Sequence, residues 1–197
     1  ADFRYTKTAV YTGTFTPPIL SLKNSGADSA ASYANTTNVN ITFSGSNTQL
    51  LLSSTNSGII DSTTKNNLQT VGDVKVTRFS PYSANNYGVL FNGSSDYYSI
   101  PATGAFAQNA FLTTGATFTV EAWLYATKLV TISGNYSIIL GDASGSSGTL
   151  MCWNLGINYL GNVQVTWYDG STKSCFGSTV LSLNTWYHIA FVVTAGV

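Results

Sequence analysis

Apolar and polar residues alternate along this chain with a period of two far more clearly than with a period of 3.6. In TFTVEAWLYA (117–126), Phe118, Val120, Ala122 and Leu124 stand against Thr119, Glu121, Trp123 and Tyr125. That is the pattern of a strand with one face in a core. YSIILGD (136–142), LMCWNLGI (150–157), NVQVTWYDG (162–170) and WYHIAFVV (186–193) follow, separated by Gly, Ser and Asn clusters such as DASGSSG (142–148). Each predicts a further strand. Upstream, GVLFNGSSDYYSIP (88–101) predicts two strands across a Gly-Ser-Ser turn, and NTQLLLSS (47–54) another short strand. The opening ADFRYTKTAVYTG (1–13) predicts a strand and a hairpin of its own, and Pro17-Pro18 fix an extended segment after it. No long 3.6-period stripe with a cap before it is found, so no helix is expected.

Short strands at this spacing, rich in aromatic and β-branched residues, predict an antiparallel sandwich or barrel. Several carry bulky residues on both faces, which favours an all-β, two-sheet jelly-roll sandwich.

Composition narrows what such a sandwich could do. Charged residues are 8% of the 197, against roughly a quarter in an ordinary soluble domain, while hydrophobic residues are 44% and aromatics 13%. Solubility must rest on Ser, Thr, Asn and Gly. Eight Lys plus Arg balance eight Asp plus Glu and lie scattered, so nothing is available to neutralise a run of phosphates, and no nucleic acid partner is expected. No run of 18 apolar residues occurs, and no membrane insertion is expected. The chain opens on Ala1 and its only methionine is Met151, so it is expected to be processed or cut from a longer polypeptide. Cys152 and Cys175 each sit in a strand-like run; a disulfide and two reduced thiols are both open readings. Two cysteines and one histidine do not make a structural zinc site.

Three segments in order, YGVLFNGSSDYYSIP, TFTVEAWLY and NTWYHIAFVV, span residues 87–193. Together they make the sequence similar to the LamG-like jelly-roll family of the concanavalin A-like lectin/glucanase superfamily. That family carries a Phe-[Asp/Asn]-Gly…Asp-Tyr turn, a Phe-Thr-[Ile/Val]-Glu-x-Trp strand and a Trp-Tyr-His-[Ile/Val]-Ala strand. The resemblance implies an organisation. Residues 1–18 resemble the closing strand of such a module and are expected to end a preceding repeat. Residues 19–46 are expected to be a Ser/Asn-rich linker or extension, and 47–197 a jelly roll incomplete at its C-terminal end. In the other reading residues 2–7 fill the place of the terminal strand, in cis or in trans. The resemblance also implies a structural and adhesive role in a phage fibre or other virion surface protein, extracellular or on the virion surface. Such a module would bind cell-surface glycans and associate with itself or with neighbouring repeats. A secreted bacterial adhesin or carbohydrate-binding module, and a ligand-free spacer or capsid decoration, are the alternatives.

No catalytic residue is expected. A retaining glycosidase needs two carboxylates about 5–5.5 Å apart. Glu121 is the only glutamate, its next acidic neighbour is Asp142, and no Glu-x-Asp or Asp-x-Glu pair occurs. Glu121 is instead expected to accept hydrogen bonds from backbone or Tyr groups. His188 shares a strand face with Trp186, Ala190 and Val192, which suits a structural histidine better than a triad member. For glycan binding, Tyr159, Trp167, Tyr168 and Asp169 offer aromatic faces and a polar group near loop ends. Trp123, Trp153 and Trp186 are expected in the core. Calcium is the other ligand the resemblance implies, with Asp96 and Asp142 as candidates. Ser95 stands where many relatives have a second Asp, and a hydrogen-bonded turn is the alternative role for Asp96.

Overall fold

A computed structural model describes residues 2–13, 15–26, 44–56, 58–82, 86–101, 116–133, 135–141, 153–168 and 171–194. Every regular element among them is a strand: β1 (Phe3–Thr6), β2 (Thr48–Thr55), β3 (Gly58–Asp61), β4 (Gln69–Val71), β5 (Lys75–Thr77), β6 (Gly88–Leu90), β7 (Tyr97–Ser99), β8 (Phe118–Tyr125), β9 (Tyr136–Gly141), β10 (Trp153–Asn158), β11 (Asn162–Tyr168), β12 (Thr172–Val180) and β13 (Trp186–Val193). A five-stranded antiparallel sheet runs β13-β8-β1-β2-β3, and a four-stranded one runs β12-β11-β10-β9. The fold is all-β, as the alternation predicts.

The core is what period-two alternation brings together. Phe118, Val120 and Ala122 of β8 meet Tyr5 of β1, Leu50 of β2 and Ile189 and Val193 of β13 on one side; Trp153, Leu155 and Val165 close it from the other sheet. Tyr5 and Phe118 meet edge to face, as do Phe118 and Phe191. The opposite face of the five-stranded sheet is not left to solvent. The segment after β1 turns back over it and lays Val10, Tyr11 and Phe15 against Ala190 and Val192. Val10 N donates to Thr119 Oγ1 at 2.9 Å, and that hydroxyl donates to Thr8 O at 2.8 Å. Pro18 and Leu22 are buried further along the same segment.

Two pairings and the burial of two tryptophans differ from those the sequence predicts. β6 and β7 do not form a hairpin across the Gly-Ser-Ser turn; β6 pairs with β5 and β7 with β4, because Asp96 ties that turn to Asp73 instead. Residues 8–13 do not fold back as a hairpin on β1, whose partners are β2 and β8. Within this chain, then, β1 fills a place inside the sheet in cis. Of the tryptophans expected in the core, Trp153 is buried there, whereas Trp123 and Trp186 are half-buried. Trp123 packs beside His188 on the covered outer face, and Trp186 stacks on the exposed Phe79. Cys175 is a free, exposed thiol on β12, and burial of its sulfur raises its pKa; Cys152 lies outside the described residues.

This layering separates two leucine-sized side chains of the four-stranded sheet. Leu155 is 1% exposed inside the core, and Ile138, on the outer face opposite Gly156, is 64% exposed. Leu155→Ala is expected to cost about 2–5 kcal/mol. Ile138→Ala should stay within about 0.5 kcal/mol. Urea midpoints at unchanged m-value check both.

Candidate functional site

The covered face of the five-stranded sheet holds a polar cluster. Register sets Arg4 of β1 directly opposite Glu121 of β8, and Ala190 of β13 opposite Glu121 on the other side. Arg4 donates from Nε to Glu121 Oε1 at 2.8 Å and also from Nη2; its Nη1 donates to Lys23 O at 2.9 Å. On Oε2, Tyr11 Oη donates at 2.5 Å and His188 Nε2 lies at 3.0 Å. A carboxylate only accepts, so Nε2 carries the hydrogen. The side chains of Arg4, Glu121 and His188 are all fully buried. Burial alone would push the Glu121 carboxyl up; the His188 hydrogen bond and the Arg4 charge outweigh it, and the pKa is held below the ordinary glutamate value. Tyr11 and Phe15 stack at 3.8 Å, and both rings meet the His188 ring nearly at right angles. Nearby, burial raises the pKa of Asp2 although Leu22 N donates to its Oδ2 at 2.8 Å. Burial likewise lifts Tyr5, in the main core, to about 12.

Chemically this cluster is closed. Both oxygens of the only glutamate have donors, and none of the Arg4, Glu121 and His188 side chains reaches solvent. It ties β1 and the covering segment to β8 and β13.

The outer face of the four-stranded sheet is the opposite case. Here register sets Ile138 and Gln164 on either side of Gly156, Phe176 beyond Gln164, and Tyr136 beside Asn158. Gly156 lets β9 approach closely here, since a Cβ there would come within 2.6 Å of Ser137 O. The β10–β11 turn stands at one end. Asn158 Oδ1 accepts from Leu160 N and Asn162 N, each at 3.0 Å, and Gly161 takes the left-handed conformation at φ 86° that the short loop needs. The turn therefore presents Tyr159 and Leu160 to solvent. Between these elements lies a shallow groove of about 300 Å³ lined by Asn135, Tyr136, Asn158, Tyr159, Leu160, Gln164 and Phe176. Phe176 is 61% exposed and Tyr159 40%. Three amides among three aromatic rings suit a ligand with one apolar face and several hydroxyls.

Of the residues expected to bind a glycan, Tyr159 lines this groove. Trp167 packs on the core instead, its Nε1 buried with no hydrogen-bond partner among the described residues. Tyr168 ends β11, and Asp169 lies outside the described residues. Phe176, Gln164 and Tyr136 were not expected. Gln164 could have been found by alternation, because Val163 and Val165 on either side face the core.

Asp96 closes a turn. Its Oδ1 accepts from Asp73 N at 2.9 Å and its Oδ2 from Asn92 N at 3.0 Å, while Asn92 Oδ1 accepts from the backbone of Ser94, Ser95 and Asp96. Gly72 permits this approach: it sits at φ 84°, and a Cβ there would lie 2.3 Å from Asp96 Oδ1. Asp142 lies outside the described residues, and among those described no three His, Cys, Asp or Glu side chains come together to hold a metal ion.

Residues 92–197 match the family model Laminin_G_3, described as the concanavalin A-like lectin/glucanases superfamily. No curated protein and no solved structure gives a match.

The buried pair carries a pH signature. Removing one partner of such a pair typically costs about 3–5 kcal/mol, so Glu121→Gln should lower stability by that order at neutral pH. Because the folded pKa of Glu121 lies below its unfolded value, its contribution is complete above the ordinary glutamate range and is lost as pH falls through the folded value. Asp2, with a raised pKa, acts in the opposite sense and loses stability as pH rises through its folded value. Denaturation midpoints from neutral pH down to about pH 3 should therefore fall less steeply in Glu121→Gln than in the parent chain.

Proposed function

The chain belongs to the concanavalin A-like lectin/glucanases superfamily, and from that premise we propose that it works as a non-catalytic, glycan-binding adhesive module. Laminin G-like domains are generally binding modules, although the superfamily also includes glycosidases. The groove on the four-stranded sheet carries the reading: Tyr136, Tyr159 and Phe176 supply rings, and Asn135, Asn158 and Gln164 supply amides within the same shallow surface. The absence of catalysis is supported by Glu121, whose two oxygens are taken up by Arg4, Tyr11 and His188 beneath a layer of aromatic rings.

With 8 acidic and 8 basic residues, the chain suits neutral sugars rather than a polyanion. A shallow groove of this kind gives weak single-site affinity, and repetition on one particle multiplies it. A virion-surface or other extracellular fibre is the setting we assign to it, and a secreted adhesin would use the same groove in the same way.

The full chain applied to an array of neutral glycans is expected to bind a subset of them. Phe176→Ala and Tyr159→Ala should each weaken that binding about tenfold, or about 1.4 kcal/mol, while leaving the melting midpoint unchanged. Bound glycans should be recovered uncut. Binding that survives both substitutions would remove the groove from the account, and release of reducing ends would remove the non-catalytic reading.

A further inference from the structure

We propose that residues 2–26, β1 with the segment that covers it, form an exchangeable piece that one copy of this chain inserts into the five-stranded sheet of a second copy. This goes beyond glycan binding and concerns how copies are joined.

The piece is tied to itself. Leu22 N donates to Asp2 Oδ2 at 2.8 Å, Arg4 Nη1 donates to Lys23 O at 2.9 Å, and Tyr11 stacks on Phe15. Its bonds to the rest of the molecule reach residues far away in sequence. Arg4 and Tyr11 reach Glu121, Val10 and Thr8 reach Thr119, and Lys7 N donates to Asn47 O at 2.8 Å. No hairpin links β1 to either neighbour, for β2 begins at Thr48 and β8 at Phe118. The piece returns beside the start of β2, where Asn24 O accepts from Thr48 Oγ1 at 2.7 Å. From there only the stretch 27–43 joins it to the remainder of the chain. Fully extended, the path from 26 to 44 can span roughly 60 Å, at about 3.3 Å per residue, ample to reach the same place in a neighbouring molecule.

The place itself has to be filled. Without the piece, Glu121 would lose the Arg4 guanidinium, the Tyr11 hydroxyl and the layer that covers it, and the core would open where Tyr5 sits at 1% exposure. A strand from another copy restores every one of these contacts, because the sequence that fits is the chain's own. Reciprocal exchange therefore sacrifices no contact outside the connecting stretch. The buried charge pair makes the fit selective, since an uncharged strand would leave Glu121 unpaired.

Charge reversal tests this on the full chain. Arg4→Glu and Glu121→Arg are prepared separately, so each protein alone sets like charges against each other inside the sheet. On co-refolding at equal amounts, exchange brings the unchanged Arg4 onto the unchanged Glu121 and sets the two substituted side chains against each other with reversed signs. The expected result is a heterodimer of twice the 20.9 kDa chain mass as the major species, melting above either parent. Two separate monomers that keep their parental midpoints would overturn the proposal.

Should the mixture aggregate, a second experiment decides. Phe3→Cys and Ala122→Cys, facing positions of β1 and β8, are placed in two different chains, each with Cys152→Ser and Cys175→Ser. Co-refolding and oxidation should give a cross-chain disulfide. The proposal fails if no such bond forms while a chain carrying both cysteines closes within itself.

Discussion

The Arg4–Glu121 pair is the constraint on which the outer half of this molecule depends. A carboxylate taken out of water costs several kcal/mol unless its oxygens are met by donors and a counter-charge. Glu121 gets these from three distant places: Arg4 on the first strand, Tyr11 in the covering segment and His188 on the last strand described. One residue thus fixes where the chain's beginning must lie. Were Glu121 apolar, β1 could still pair by backbone hydrogen bonds and bury Tyr5, but its outer face would no longer call for Arg4.

From that pair follows an asymmetry between the two sheets. The five-stranded sheet is covered on both sides, by the main core and by the layer of Val10, Tyr11 and Phe15. Among the described residues the four-stranded sheet is covered on one side only, and its outer face keeps Ile138 and Phe176 exposed. A ligand can therefore approach the second sheet without disturbing the first. The division leaves one sheet packed on both faces and the other with an open face.

Much of this was legible in the sequence, and for a physical reason. Strands half-buried on one face print their alternation directly, so β8, β9, β10, β11 and β13 can be read within a residue or two at each described end. Strict alternation would even have turned Trp167 inward with Val163 and Val165, rather than leaving it a candidate for the surface. What alternation cannot carry is partnership. β1 reads as a strand, but nothing local says that it pairs with β2 and β8, because those contacts close long loops and leave no periodic trace. β12 was legible only as a strand-like run around Cys175, for another reason. All nine of its residues are exposed, so TKSCFGSTV has no buried side to imprint a pattern, and Phe176 in the groove could not be read from it.

The scarcity of charge takes on a meaning once positions are known. Asp61 is ringed by Leu51 N, Thr63 N and Oγ1, and Asn66 N and Nδ2. Burial raises its pKa, but the Thr63, Leu51 and Asn66 hydrogen bonds outweigh that and hold it below the usual carboxylate range. Lys65 Nζ donates to the carbonyls of Gly45, Ser46 and Thr48, gathering the turn before β2. Asp2, Asp96 and the Arg4–Glu121 pair likewise fasten backbone to backbone. Charges here act as clips for turns and strands, while Ser, Thr and Asn keep the surface wet. Charges committed in this way contribute little field around the groove. On the proposed reading, recognition on that face would rest on ring surfaces and amides, which distinguish sugars by shape and hydroxyl position rather than by charge.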